Sequence, residues 1–340
     1  MPDVMALLRV RDLCKHFPVY SQGLMRRQVG LVRAVDEVSF DLFPGQTLGL
    51  VGESGCGKTT LARTILRALA PTSGKVLFQA NGAELARTGP GLQRPYVDLA
   101  AVGPRDLKAL RTRMQMIFQD PFSSLNPRMT VGQIVGEPLK IHRLARGPER
   151  RDRIVEMLRM VGLEAEHTNR YPHEFSGGQR QRIGIARALI MRPSLVIADE
   201  AVSALDVSVQ AQVINLLADL QAELNLTYLF VAHDLSVVRH IADRVAVMYA
   251  GRIVELAETE AVFADPKHPY TRALMSAVPN PDPDVPMAFR LAGEVADPAN
   301  LPSGCSFHPR CPDCIDHCRQ QRPDLSILDD GRHVACHLAS

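Results

Sequence analysis

Residues 52 to 60, GESGCGKTT, have the composition and spacing of a loop that binds phosphate. They fit the pattern G-x4-G-K-[ST], with Gly52, Gly57, Lys58 and Thr59 at the fixed positions. Glycine suits such a loop because backbone N–H groups must turn inward around the phosphates, where a side chain would obstruct them. Lys58 would supply a positive charge to the β- and γ-phosphates, and the Thr59 hydroxyl would reach Mg2+. The loop therefore predicts a nucleotide site.

A second acidic motif follows later in the chain, where the apolar run SLVIADE ends in Asp199 and Glu200. At the end of a buried strand, Asp199 is expected to hold Mg2+, generally through water. Glu200 beside it can accept a proton from an attacking water or orient that water. Alone, such a pair is equally typical of an acidic strand end in solvent. Downstream of a phosphate loop, it favours nucleotide hydrolysis.

Three further polar features lie at the ends of predicted elements. The segment FSGGQRQR, residues 175 to 182, places Ser176 at the start of an amphipathic helix, where exposed N–H groups form an anion site. It is not a second phosphate loop, because no Lys-Ser or Lys-Thr follows. Gln119 and His233 each end a strand. Taken singly, each is as well explained as a satisfied polar residue.

The elements that must position these residues alternate between strands and helices. Strand patterns occur at 34–42, 47–52, 114–118, 193–200, 227–234 and 244–256, and helical patterns at 58–70, 151–163 and 206–224. This alternation predicts an α/β fold with a mostly parallel sheet. Residues 81–104 are rich in Gly, Pro and Ala and lack periodicity, so we expect a surface insertion there.

Length and composition limit the class of protein. A chain of 340 residues with 46% hydrophobic and 22% charged residues is long enough for a large domain plus a smaller appendage. The 39 basic and 37 acidic side chains nearly balance, so nothing indicates a nucleic-acid partner. The first residues lack the pattern of a secretory signal, and no apolar run approaches the roughly 18 residues of a membrane span. These features predict a soluble, cytosolic chain.

The order and spacing of these motifs resemble the ATP-binding cassette of ABC transporters over residues 8 to 258. The resemblance implies a P-loop cassette with a helical subdomain at about 120–190. It also implies ATP and Mg2+ as ligands, with Thr59, Gln119 and Asp199 around the metal. It assigns the nucleotide-binding Walker A loop to Gly52, Ser54, Gly55, Cys56, Gly57, Lys58, Thr59 and Thr60. The Q-loop residue is Gln119, and the signature motif consists of Ser176, Gly177, Gly178 and Gln179. Asp199 and Glu200 form the Walker B end, Asp206 belongs to the D-loop, and His233 is the switch histidine.

The mechanism of that family gives each motif an expected role. Two cassettes meet head to tail, so that ATP on the Walker A loop of one is covered by the signature helix of the other. Glu200 is then the expected general base, and His233 the residue that holds the γ-phosphate and the attacking water. Phe17 matches the aromatic position that stacks on adenine, with Tyr20 as a rival. Phe175 and Ala201 depart from the usual Leu and Pro, but neither change removes a catalytic group, so we expect an active ATPase.

Two longer segments narrow the resemblance. DEAVSALDVSVQAQVINLL and HPYTRALMSAVP, followed by a proline-rich tail, are similar to the ATPases of dipeptide and oligopeptide importers. This resemblance implies a second homologous ATPase, two membrane permeases and an external binding protein as partners, at the cytoplasmic face of the plasma membrane. Nickel, haem or another solute stays open as cargo. A non-transport ABC ATPase and a non-hydrolysing subunit are the rival functions.

The composition of the sequence changes after residue 265, where prolines become frequent over 279–302. This change predicts a cassette at 1–265 and an extension at 266–340. The extension holds five of the seven cysteines, Cys305, Cys311, Cys314, Cys318 and Cys336. Disulfides conflict with a cytosolic compartment, whereas zinc suits the C-x2-C pair and its nearby histidines. The family pattern implies instead a [4Fe-4S] cluster on Cys305, Cys311, Cys318 and Cys336. Cys314 is then the extra thiol, unless it replaces Cys318. Such a staple would compensate for the small core of the tail.

Overall fold

The computed structural model describes residues 5–21, 27–81, 92–93, 95–276 and 296–339. Its strands are β1 (Leu8–Tyr20), β2 (Gln28–Leu42), β3 (Thr47–Val51), β4 (Ser73–Gln79), β5 (Leu92–Gln93), β6 (Tyr96–Asp98), β7 (Met114–Ile117), β8 (Leu195–Asp199), β9 (Thr227–Val231), β10 (Arg244–Tyr249), β11 (Arg252–Glu258), β12 (Ser326–Ile327) and β13 (His333–Val334).

The α-helices follow the strands closely along the chain. They are α1 (Lys58–Ile65), α2 (Pro104–Leu110), α3 (Pro121–Ser124), α4 (Val131–Ile141), α5 (Gly147–Met160), α6 (Gly177–Leu189), α7 (Val207–Leu224), α8 (Leu235–Ile241), α9 (Thr259–Ala264), α10 (Pro269–Ser276) and α11 (Asp316–Gln320). None of the helices in the described part of the chain is long and apolar enough to cross a bilayer.

The larger sheet carries the predicted chemistry at one edge. Its order is β12-β13-β11-β10-β3-β9-β8-β7, and the pairs from β10 through β7 are all parallel. Every residue of β3, β8 and β9 is buried, as the continuous apolar runs predicted. Parallel strands place their carboxyl ends at the same edge, so the loops after β3, β7, β8 and β9 converge there. The predicted α/β fold is confirmed.

The smaller sheet is antiparallel, with the order β2-β1-β4-β6-β5. It corrects the expectation that residues 81–104 form a surface insertion, because Tyr96, Val97 and Leu99 are buried in this sheet and its packing layer. The Asp98 carboxylate fixes the turn by accepting hydrogen bonds from the backbone of Val76 and Ala100 at 3.1 and 2.9 Å. Residues 82–91 and 94 of the predicted insertion lie outside the described residues.

Helix α1 is shorter than the predicted 58–70. It ends at Ile65 because Arg67 adopts a left-handed conformation with φ of 54°. The amides of Ala68 and Leu69 both donate to the carbonyl oxygen of Arg63, at 2.9 and 3.1 Å, which satisfies the last turn. The apolar pattern beyond Ile65 therefore belongs to a capping turn.

Helices α3 to α6 lie within the segment predicted as a helical subdomain. Helix α4 packs on α5 and α6, and α6 also packs on α7. Thr130 caps α4 through a capping box with Gln133, the sequence signature of a helix start.

The C-terminal extension is continuous with the larger sheet. Strand β13 pairs antiparallel with β11, and β12 pairs with β13. Phe307 is 1% exposed and belongs to the main hydrophobic core. The extension is thus packed onto the cassette, and the boundary at 265/266 stays a prediction. Residues 277–295, which include most of the proline-rich stretch, lie outside the described residues.

Candidate nucleotide site and cysteine-lined cavity

The glycine-rich loop connects β3 to α1 and lies tightly against its surroundings. At Gly57, with φ of 110°, an added Cβ would lie 2.0 Å from the carbonyl oxygen of Ala34. At Gly52 it would lie 2.2 Å from the carbonyl oxygen of Met248. Both neighbours are backbone atoms that cannot yield, so only glycine fits at either end of the loop. Between them, Ser54 and Gly55 are exposed at the tip, where a ligand can reach their amides.

Lys58 is positioned by the loop itself. Its ammonium donates to the carbonyl oxygens of Gly52 at 2.7 Å and Glu53 at 3.0 Å, and the residue is 5% exposed. The Cys56 sulfur lies 3.8 Å from the same nitrogen. Burial raises the pKa of Cys56 and keeps it a neutral thiol, which supports its role as a small packing residue rather than a redox group.

Thr59 and Asp199 meet across the end of the parallel sheet. The Thr59 hydroxyl donates to the Asp199 carboxylate at 2.9 Å, although the two residues are 140 positions apart. Asp199 is 3% exposed, and burial raises its pKa. A hydroxyl beside a buried carboxylate offers hard oxygen ligands that suit Mg2+. The residue pair therefore fits the predicted metal.

Gln119 and His233, which follow β7 and β9, both lie beside the side chain of Glu200, which follows β8. The Glu200 backbone is left-handed, with φ of 48°, and its amide donates to the carbonyl oxygen of Val231 at 3.0 Å. Gln119 donates from Nε2 to Glu200 Oε2 at 2.6 Å, and His233 Nδ1 lies 3.8 Å from the same oxygen. The carboxylate thus faces an amide and an imidazole, the polar groups needed to hold a water molecule beside a base.

The signature segment forms the first turn of α6. The Ser176 hydroxyl accepts from the Gln179 amide at 3.4 Å, and the Gln179 side chain accepts from the Ser176 amide at 3.1 Å, completing a capping box. A Cβ at Gly178 would lie 2.4 Å from the Val209 side chain, while Gly177 lies near Leu205. In the described part of the chain, no hydrogen bond or ion pair joins Ser176–Gln179 to residues 52–60.

Phe175 and Ala201, the two residues that depart from the usual family pattern, are both buried. Phe175 is 4% exposed and packs edge-on against His167, with ring centroids 5.2 Å apart. Ala201 is 1% exposed, directly after the general-base position. Both residues fill the core next to the site and leave its polar groups in place. The expectation of an intact catalytic set agrees with this packing.

Phe17 is closer than Tyr20 to the phosphate loop along the sheet. It pairs with Val32 on β2, two residues before Ala34, whose carbonyl faces Gly57. Phe17 is 36% exposed, and Lys15 Nζ lies 4.8 Å from the centre of its ring. An exposed aromatic face at this distance along β1 is suited to stacking on a base.

Asp206 occupies the N-cap position of α7. Its side chain makes no capping hydrogen bond, and the following Val207 is 84% exposed. A polar cap residue with an unused carboxylate and an exposed apolar neighbour are features of a surface that meets another protein. Thr60 lies one residue further into α1 than Thr59 and is half-buried.

Four of the five tail cysteines line one small cavity. They are Cys305, Cys311, Cys318 and Cys336, whereas Cys314 is not among the lining residues. The loop is closed by the Cys305 amide, which donates to the Cys318 carbonyl at 2.8 Å. Burial raises the pKa of Cys305 and Cys336, and raises that of Cys311 to about 11. These thiols would remain neutral unless a metal stabilised their thiolates.

The spacing of these sulfur atoms distinguishes two kinds of metal centre. Four thiolates at about 2.3 Å from one zinc ion lie about 3.8 Å from one another. Within the described residues, one group has three metal-ligand atoms all within 4.8 Å, and it is Cys14, His16 and Asp36. In the described part of the chain, no three of the tail sulfurs form such a group. Cluster ligands are wider apart because each thiolate binds a different iron.

Sequence reasoning missed three residues at the phosphate loop. The Glu53 carboxylate accepts two hydrogen bonds from Arg310 at 2.7 and 3.1 Å, and the Glu53 amide donates to the Tyr270 hydroxyl at 2.9 Å. The available signal was Glu53 itself, because an acid in a loop that binds an anion needs a compensating cation. Nothing in the sequence indicated that the cation comes from the cysteine-rich tail.

Comparison with known proteins places both halves of the chain. Residues 35–203 match the model of the ABC transporter family, and residues 254–318 match that of the oligopeptide/dipeptide transporter C-terminal region. The chain is similar to a probable peptide ABC transporter ATP-binding protein, y4tS, of Sinorhizobium fredii, with 53% identity over 98% of this chain and 90% of the relative. It is also similar to the oligopeptide transport ATP-binding protein AppF of Bacillus subtilis, with 50% identity over 98% of each chain.

A solved structure shares the cassette fold. The dimeric structure of MJ0796, a bacterial ABC transporter cassette, is 26% identical and aligns with a TM-score of 0.60. The alignment covers 74% of this chain and 98% of that chain. The C-terminal extension is about as long as the part of this chain that the alignment leaves uncovered.

Proposed function

Because this chain belongs to the ABC transporter family of ATP-binding proteins, we propose that it is the ATP-hydrolysing subunit of an importer for oligopeptides or dipeptides. The observation that carries the proposal is the convergence of Gln119 and His233 on Glu200, beside the Thr59–Asp199 pair. Relatives that match almost the whole chain are named for peptide transport, which supports this cargo over nickel or haem.

Each polar group of the site has its own role in the proposed hydrolysis of ATP. Thr59, Asp199 and Gln119 would hold Mg2+, which would supply positive charge against the β- and γ-phosphates. Lys58 supplies the fixed positive charge of the loop, and the loop amides donate to the phosphate oxygens. Glu200 accepts the proton of the attacking water, while His233 orients that water and the γ-phosphate. Lys58 and Asp199 are 5% and 3% exposed, and this burial strengthens the electrostatic interactions that they make.

The active unit in this proposal is a pair of cassettes. The first turn of α6 offers unpaired amides and the Ser176 hydroxyl as an anion site, yet it makes no bond to the Walker A loop of its own chain among the described residues. The phosphates that it binds therefore belong to a partner ATPase. Asp206 and Val207 lie on the same contact surface, and closure of the pair excludes water from both sites.

The remaining partners are membrane proteins. Two exposed phenylalanines flank Gln119: Phe118, 42% exposed, precedes it, and Phe122, 62% exposed, follows it in the loop. Arg187 and Arg180 of α6 lie over their rings. This surface meets the permease subunits, so nucleotide closure at Glu200 is transmitted to them through Gln119. The chain then resides at the cytoplasmic face of the membrane, with an external binding protein delivering the peptide.

In the extension, we assign Cys305, Cys311, Cys318 and Cys336 to a [4Fe-4S] cluster. The support is their common cavity, which Cys314 does not line, together with the family resemblance. The role is structural, because the described part of the tail buries only a small apolar set, which includes Tyr270, Ala273, Phe307, Val334 and Ala335. Phe17 is assigned to the adenine, and the boundary between cassette and extension to 265/266.

Transport in a reconstituted system tests the proposal. The chain is assembled with its partner ATPase and permeases in proteoliposomes, with ATP on the side of the cassettes and labelled peptide plus binding protein on the other. ATP-dependent accumulation of peptide is the expected result. Accumulation of nickel or haem in place of peptide would overturn the cargo, and ATP hydrolysis without uptake of any of the three would overturn the transport role.

A further inference from the structure

Glu53 is a carboxylate at the entrance of a loop that binds a polyanion. It directly follows Gly52, and its side chain is 25% exposed. Left unpaired, this charge would oppose the triphosphate that the loop has to accept. The environment of Glu53 therefore affects how readily the loop binds ATP.

Arg310 neutralises this carboxylate from the C-terminal extension. Both of its terminal nitrogens donate to Glu53, at 2.7 and 3.1 Å, in the two-point geometry that an arginine and a carboxylate favour. The Arg310 side chain is 5% exposed, and its guanidinium lies 5.9 Å from the Tyr249 ring. The hydrogen bonds to Glu53 raise the pKa of Arg310, so the cation is permanent.

Tyr270 holds the backbone of the same residue. Its hydroxyl accepts from the Glu53 amide at 2.9 Å, and the tyrosine is fully buried. The ring packs against Tyr249 and Phe307, with centroids 4.7 and 5.4 Å away. Glu53 is thus fixed at both its amide and its carboxylate by residues beyond position 265.

The position of Arg310 depends on the cysteine-lined cavity. Arg310 ends a short 3-10 helix and immediately precedes Cys311, whose amide donates to His308 at 3.3 Å. Phe307, at the start of this turn, is buried against the aromatic cluster. Any loosening of the turn around Cys311 would move the guanidinium away from Glu53.

We propose that Arg310 and Tyr270 are positioning residues for nucleotide binding, which hold Glu53 so that the Walker A loop is preorganised and electrically neutral at its entrance. The inference rests on the proposed assignment of residues 52–60 to ATP. It makes the folded extension a determinant of ATP affinity, through one ion pair and one hydrogen bond that cross from the extension to the loop.

The test is a set of variants of the full chain, titrated with the magnesium complex of the non-hydrolysable analogue AMPPNP by calorimetry. Arg310→Met keeps the length of the side chain but leaves Glu53 unpaired, and we expect the Kd to rise about tenfold. Arg310→Lys keeps the charge without the two-point contact and should give a smaller rise. In the double variant Glu53→Gln, Arg310→Met, the unpaired charge is gone, so the Kd should recover towards that of Glu53→Gln alone.

Steady-state kinetics in the assembled transporter distinguish positioning from catalysis. Arg310→Met and Tyr270→Phe should raise KM for ATP and leave kcat within about twofold, because neither residue touches the reacting atoms. Arg322→Met is the matched control, since it breaks an ion pair between the extension and Glu37 of β2 without touching the loop or the turn around Cys311. It should leave both constants unchanged.

The results of these experiments distinguish a failure of this inference from a failure of the proposed function. A folded Arg310→Met variant that binds AMPPNP as tightly as the native chain would overturn the inference and leave the proposed function intact. If Arg310→Met does not fold, Arg310→Lys and Tyr270→Phe decide, and native affinity in both would overturn it. Failure of the native chain to bind AMPPNP would instead contradict the nucleotide site itself.

Discussion

Gln119 donates a 2.6 Å hydrogen bond to the carboxylate of Glu200, although 81 positions separate the two residues. They follow β7 and β8, which are parallel neighbours in the larger sheet. The bond fixes the orientation of the proposed general base from the loop that is also proposed to meet the permeases. Conformational change in that loop therefore alters the geometry at Glu200 directly.

Replacing Gln119 with Ala should lower turnover, because the proposed general base loses the hydrogen bond that orients it. A hydrogen bond to a charged group contributes about 1.5–3 kcal/mol, so its loss corresponds to a fall in kcat of about tenfold or more. Steady-state hydrolysis by the assembled transporter measures the effect. Gln115→Ala is the control, because that side chain donates to the nearby carbonyls of Arg111 and Met114 rather than to Glu200. Unchanged kcat in Gln119→Ala would show that the bond does not position the base.

Asp199→Asn should stabilise the fold while abolishing hydrolysis. Burial raises the pKa of Asp199, so its charge destabilises the folded state without nucleotide. Removing that charge is expected to increase the free energy of unfolding by about 1 kcal/mol. Urea titrations at pH 7 test this, with Asp219→Asn on the exposed side of α7 as the control. A less stable Asp199→Asn variant would contradict the assignment.

The raised pKa of Asp199 also predicts how the difference in stability between the native chain and Asp199→Asn depends on pH. The folded pKa of Asp199 lies above its unfolded value, so its stabilising contribution is fully present below about pH 3.9 and is lost as pH rises through the folded pKa. The native chain and Asp199→Asn should therefore be equally stable near pH 3.5 and diverge as pH increases. A difference that shrank with rising pH would have the wrong sign.

The ion pair between Asp36 and Arg252 should contribute strongly to stability at neutral pH. Their side chains are 7% and 18% exposed, and the charged atoms are 2.7 Å apart. Burial raises the pKa of Asp36, but the hydrogen bond and charge of Arg252 outweigh it, and the net pKa is lowered. Arg252→Met removes the shortest ion pair of Asp36 but leaves His16 at 3.0 Å and Arg322 at 3.7 Å, and it is expected to cost about 2 kcal/mol at pH 7.

Because the folded pKa of Asp36 is lowered, this contribution is present above about pH 3.9 and is lost as pH falls. The cost of Arg252→Met should therefore diminish in acid. Thermal unfolding at several pH values measures it. Arg153→Met, which breaks an exposed pair with Glu149 in α5, should change stability by less than about 0.5 kcal/mol at every pH. Equal effects of the two substitutions would contradict the buried role.

Two cysteine variants distinguish the ligands of the tail from the extra thiol. Cys318 is 6% exposed and lines the common cavity, whereas Cys314 does not. After anaerobic purification, Cys314→Ser should retain the iron and visible absorbance of the native chain, while Cys318→Ser should lose both. Loss in Cys314→Ser alone would exchange the two assignments. A colourless native chain with bound zinc would replace the cluster by a single ion.

Much of the fold follows from local pattern. The buried runs that became β3, β8 and β9, and the amphipathic stretch that became α7, were predictable because strand and helix periodicities differ. The glycines of the phosphate loop were predictable because their spacing reflects a steric requirement. The approach of Thr59 to Asp199 followed from the common edge of a parallel sheet.

What could not be predicted depends on contacts between distant segments. The burial of Tyr96 to Leu99 could not be predicted, because their pairing with β4 and their packing in the smaller sheet leave no short-range signal. The bond from Tyr270 to Glu53 spans 217 positions, and that from Arg310 spans 257. Neither residue belongs to a motif with a known spacing from the loop. Such pairs become visible only when the extension is packed against the cassette.

Glu200→Gln, compared with the native chain in the assembled transporter, tests the central claim most directly. The substitution keeps the size of the side chain and a partner for Gln119 but cannot accept a proton. General-base catalysis contributes about 10²- to 10⁴-fold, so ATP turnover should fall by at least two orders of magnitude while AMPPNP binds with native affinity. Glu223→Gln on the exposed surface of α7 serves as the control. Native turnover in Glu200→Gln would contradict the account.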